Sequence, residues 1–103
     1  MALARVVLQA GFLDDAVRAA YDALSASLSD LIEGDPPRGH AALVAAIYRD
    51  LLPSGRVPLT VPGILARLHD LTALQEHGVE VPADLATGAV AEAGEWVERL
   101  RRK

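Results

Sequence analysis

From Phe12 to Glu33, small and apolar residues return every three or four positions, at Ala16, Ala20, Ala23, Leu24, Ser27, Leu28, Leu31 and Ile32. That spacing lays one stripe along one face of a helix, and nowhere does the chain show the strict alternation of a half-buried strand. The run stops at Gly34-Asp35-Pro36-Pro37. Two consecutive prolines remove two backbone donors and clash with the preceding turn, so the helix must end there and the chain must turn back.

Three further helices follow from the same periodicity. One runs from Arg38 or Gly39 to Leu52 with Ala42, Leu43, Ala46, Ile47 and Leu51 inward, and Pro53-Ser54-Gly55 ends it. Val57, placed before Pro58, is held out of the helical region, and Thr60 is positioned to cap the next helix, with Pro62 tolerated in its first turn. That helix carries Ile64, Leu65, Leu68, Leu71 and Leu74 on one stripe, and Gly78 is placed to supply a left-handed C-cap. The last helix opens at Pro82 or Asp84 and buries Leu85, Ala89, Val90, Ala93, Trp96, Val97 and Leu100. Residues 2 to 10 read as a short helix that Gly11 breaks. The expected fold is therefore all-α, an antiparallel bundle of four main helices plus a short N-terminal helix, forming a single domain over residues 1–103.

The formal charge of −4, from 10 Lys plus Arg against 14 Asp plus Glu, gives no global field that draws the chain to nucleic acid, so RNA binding is not favoured. Without cysteine there are no disulfides, thiolate metal sites or cysteine nucleophiles, which fits a reducing cytoplasm. No apolar run approaches the length that crosses a bilayer, so no membrane partner is expected. Hydrophobic residues make up 51% of the chain and aromatics only 4%, because Ala, Leu and Val dominate. That is more apolar surface than one small core hides, and a helix-mediated homodimer is expected.

Chemistry-bearing motifs are sparse. His40, His69 and His77 are unpaired at ligand spacing, and His69 and His77 stand roughly 12 Å apart along one helix, so no metal or other cofactor is expected. Gly34 to Gly39 has too few free N–H groups to cradle a phosphate, and Ser25, Ser27 and Ser29 lie in mid-helix. Arg99, Arg101, Arg102 and Lys103 suit the negative end of the last helix dipole. His77 closes the helix that carries Thr72 and Glu76, which makes this helix end the place where a catalytic histidine would sit.

The order of helices resembles that of the HEPN family of small helical bundles, many of them ribonucleases. The likeness rests on Leu8-Gln9-Ala10-Gly11-Phe12-Leu13-Asp14-Asp15-Ala16, on Arg18-Ala19-Ala20-Tyr21-Asp22-Ala23, on Gly39-His40 opening a helix, and on Ala93-Gly94-Glu95-Trp96-Val97. Active members, the resemblance implies, cleave RNA without metal. A histidine moves protons at the 2′-hydroxyl and an arginine four to six residues earlier stabilises the scissile phosphate. Counting back from His77, the arginine position holds Thr72, and Glu76-His77 stands where an Asp-Tyr pair is common. A neutral hydroxyl in place of a charge-stabilising donor costs about 3–4 kcal/mol of barrier, on the order of a thousandfold in rate. The tyrosine that partner nucleotidyltransferases adenylylate in some members falls at Val79. The resemblance therefore implies a non-catalytic binding subunit for a nucleotidyltransferase-like or nucleic-acid-processing partner. The alternatives are a weak metal-independent ribonuclease using His77 and Glu76, with Thr72 at the vacant motif position and an arginine supplied across a dimer, and a purely structural bundle dimer.

Overall fold

The structure, a computed structural model, describes residues 13–102, which form four helices and no strand. They are α1 (Leu13–Asp30), α2 (His40–Ala46, continued by a π-helical turn over Ile47–Leu51), α3 (Thr60–Glu76) and α4 (Ala83–Arg101). The short helix expected over residues 2 to 10, and the start of the long one at Phe12, lie outside the described residues. Among the described residues no helix is long and apolar enough to cross a membrane.

α1 packs most extensively on α4 and then on α3, while α3 also packs on α4; α2 touches the other helices far less. Small buried residues suit this close packing: Ala16 and Ala20 on α1 and Ala86, Ala89 and Ala93 on α4 let backbones approach. Leu24, Leu28, Ile47, Leu51, Leu65 and Leu68 fill the centre, and no polar or charged residue is buried among the described residues.

Several boundaries and faces differ from expectation. α1 ends at Asp30 rather than Glu33, because the Leu31 and Ile32 N–H groups bond back three residues to the Leu28 and Ser29 carbonyls, tightening the chain before the proline loop. The second helix is not uniformly α. Leu52 N–H donates to the Ile47 carbonyl at 3.0 Å, a five-residue step whose wider turn keeps Ile47 and Leu51 buried while Tyr48, Arg49 and Asp50 stay exposed. Thr60 does not cap α3. It is already helical, Leu59 is the cap residue, and the Val61 N–H is met by the Pro58 carbonyl.

On α4 the buried stripe runs through Ala86 rather than Leu85, which is exposed, and Trp96 is only half-buried. Three- and four-residue steps back from Ala89 and Val90 converge on position 86, so the phase of the helix overrides the larger side chain. Val17 joins the α1 stripe and Val61 the α3 stripe, whereas Ala42 and Leu74 face outward.

Candidate functional site

α1 presents Arg18, Tyr21, Asp22, Ser25 and Ser29 along one side, and α3 presents His69, Thr72, Ala73 and Glu76 opposite. Both sets repeat at three or four residues, so each forms a continuous wall. The chain reaches this gap through Pro36 and Pro37 and enters α2 at Gly39, whose φ of 87° is a left-handed conformation that glycine adopts without strain. The next residue, His40, is thereby set into the mouth of the gap. The result is an open groove of about 540 Å³.

Three rings meet in it. The Tyr21 hydroxyl and His40 Nδ1 share a 2.8 Å hydrogen bond. The His40 and His69 imidazoles stack, with centroids 3.8 Å apart and planes within 10° of parallel. Tyr21 is tilted against both at 5.8 Å. Burial lowers the pKa of His40, and charge on His69 lowers it further against the pull of Asp70. Burial raises that of Tyr21, the neighbouring Ser25 hydroxyl holds part of the rise back, and the Asp22 carboxylate adds to it. Both partners are thus neutral at pH 7, and the phenol donates to Nδ1 when the imidazole proton sits on Nε2.

Around the rings, Arg18 Nη2 meets Glu76 Oε1 at 2.8 Å in an exposed ion pair. The Thr72 hydroxyl donates to the Leu68 carbonyl at 2.8 Å, so it is spent on its own helix. Ser25 Oγ is buried with no hydrogen-bond partner. A smaller hollow of about 190 Å³ continues the groove past Asp15 and Gln75, sharing Arg18, Thr72 and Glu76 with it.

Thr72 and Glu76, two of the three residues singled out in the sequence, therefore line the groove, and His77 does not. His77 is the C-cap of α3, exposed, with Gly78 following at φ 77°. The Gly78 N–H bonds to the Gln75 carbonyl and the Val79 N–H to the Leu74 carbonyl, the pair of bonds that closes a helix on a left-handed glycine. Periodicity missed the pairing of His40 with His69 because it is a tertiary contact between residues far apart in the chain. It also missed Arg18, which brings a guanidinium beside Glu76 from another helix. Arg18, Tyr21 and His40 stood out in the sequence only within the segments of the family likeness, and His69 stands beside Leu68 at the edge of the α3 stripe.

The near-parallel stack points the ring nitrogens alongside rather than toward one another. Among the described residues no group of three or more His, Cys, Asp or Glu side chains gathers as a metal site. Compared with protein-family models, curated proteins and solved structures, the chain matches none.

Proposed function

We propose that this chain is a non-catalytic binding subunit, an antiparallel helical bundle of HEPN type that takes a nucleotidyltransferase-like or nucleic-acid-processing protein as its partner. The observation that carries this is the state of the residues around the α3 end. Thr72 is bonded to its own helix, Glu76 is closed by Arg18, and His77 stands outside the groove. A phosphodiester needs a charge-stabilising donor held within reach of the acid–base group, and these three residues supply none together. The chain is expected to work in the cytoplasm as a homodimer. The exposed large apolar residues Tyr48, Leu59, Leu74, Val79 and Leu85 support the dimer.

Purified chain incubated with single-stranded RNA should show no cleavage above His77→Ala. A reading frame for a nucleotidyltransferase-like protein is expected beside this one, its purified product should co-elute with the chain, and light scattering at high micromolar concentration should give a dimer mass. A monomer mass removes the dimer, and failure to co-elute with that partner removes the partner assignment. One observation favours a second reading, a metal-independent ribonuclease: the Arg18 guanidinium lines the same groove as His40 and His69. RNA cleavage that disappears in both Arg18→Ala and His40→Ala would replace the binding reading with that one, and cleavage lost only in His77→Ala would return catalysis to the α3 end.

A further inference from the structure

α2 packs less extensively on the other helices than they do on one another, its Leu43, Ala46, Ile47 and Leu51 hold it to the core, and its first residue is the one tied into the groove. Its polar ties to the rest of the molecule are concentrated at His40, through the Tyr21 hydrogen bond and the stack on His69. Gly34 and Gly39 hold φ of 93° and 87°, and a stiff Pro36-Pro37 strut lies between them. Glycine crosses between positive and negative φ at little cost, so the two glycines are pivots on either side of a rigid piece.

We infer that the His40–His69 stack is a proton-sensitive latch, which holds the start of α2 and the Gly34–Gly39 loop against α1 and α3 at neutral pH and releases them on acidification. The inference does not rest on the binding reading above, because the latch acts on the chain alone.

The geometry supplies the mechanism. A neutral pair of imidazoles, or one cation on one neutral ring, stacks favourably. Two imidazoliums 3.8 Å apart repel. Protonation of His40 at Nδ1 also removes the acceptor that the Tyr21 hydroxyl uses, and both groups would then donate. The charged and titratable groups facing the pair are Arg18, Tyr21 and Asp22 from α1 and Asp70 and Glu76 from α3, with Arg38 in the loop just before His40. Among these side-chain types only imidazole ordinarily changes charge between about pH 5 and 8, so His40, whose Nδ1 shares the Tyr21 bond, is the group that switches. Asp70, 3.9 Å from His69 Nδ1, offsets part of the repulsion. It also pulls on His40, where burial and the charge on His69 outweigh it.

The sign is fixed by the direction of the His40 shift. Its pKa is lowered from 6.5 in the latched form, so the released form binds more protons below that pH. The latch is at full strength above 6.5 and weakens as pH falls through the lowered value.

Amide hydrogen exchange on the full chain, corrected for intrinsic rates, tests this between about pH 7.5 and about pH 5. Protection of the amides of residues 43–47 should fall by at most about tenfold per pH unit between 6.5 and the lowered His40 value and level off below it, while those of α1 and α4 hold. His40→Gln cannot take the proton and should make α2 protection independent of pH. His69→Phe keeps a ring in the stack and deletes one charge, so it should leave a distinctly shallower dependence. His69→Gln should do the same, which guards against a packing defect in the phenylalanine variant. Wild-type protection that ignores pH overturns the latch. So does loss of protection in all four helices together, or a pH dependence in both His69 variants equal to that of the wild type.

Discussion

Ser25 sits on the groove wall with its hydroxyl buried and unpaired, a state that costs the desolvation of the group without a returning bond. Ser25→Ala removes that cost and substitutes a better helix former, so it should stabilise the chain by about 0.5–1.5 kcal/mol, read by urea denaturation at neutral pH. Tyr21→Phe should act in the opposite sense. It leaves the ring against both histidines but deletes the 2.8 Å bond to His40, and a loss of about 0.5–1.5 kcal/mol is expected in the same measurement. Gain in the first and loss in the second would show that the groove's polar atoms are unequally served, with Tyr21 better satisfied than Ser25. These roles were only partly legible in the sequence. Thr72 and Glu76 fall on the groove through spacing alone, but a hydroxyl's choice between a groove and its own helix carbonyl is settled by rotamer and packing. The stacking of His40 on His69 depends on how α2 enters, which no local pattern encodes.

Where each helix lies, and which side it buries, was legible because repeating small and apolar residues set the helical phase and Gly or Pro marks the ends. The errors came where a larger residue stood one position from the true stripe, as Leu85 does beside Ala86, or where a turn widened, as over Ile47–Leu51. Two glycines of opposite role test the helix boundaries directly. Gly78 holds φ at 77° to close α3, and any side chain there strains the backbone even though the space around it is open. Gly78→Ala should cost about 1–2 kcal/mol. Gly88 lies inside α4 with nothing near the place a Cβ would take. Gly88→Ala should stabilise by up to about 1 kcal/mol, because it gains helix propensity and loses no contact. Thermal melts followed by circular dichroism would separate the two; the same sign for both substitutions would show that the α3 end is not held by its left-handed cap.

Across the whole molecule the cohesion is apolar. The buried side chains are those of Ala, Leu, Ile and Val with one Pro, Pro62, and no polar or charged residue is buried among those described, whereas Arg18–Glu76 and Arg67–Glu92 are exposed pairs at 2.8 and 3.0 Å. Exposed pairs of this kind contribute little, and salt screens what they contribute. Leu65 is fully buried at the centre of α3, and Leu65→Ala removes its contacts and leaves a cavity that a close-packed helical core collapses only partly. The expected cost is about 2–5 kcal/mol, out of a total of about 5–15 kcal/mol for a domain of ordinary stability. Raising the salt to about 1 M should by contrast shift the urea midpoint only slightly, since it weakens surface pairs and leaves the core intact. The two perturbations therefore divide the stability between its sources. A large fall in midpoint with salt at neutral pH, together with a mild Leu65→Ala, would mean that surface charge rather than the buried apolar contact holds the four helices together.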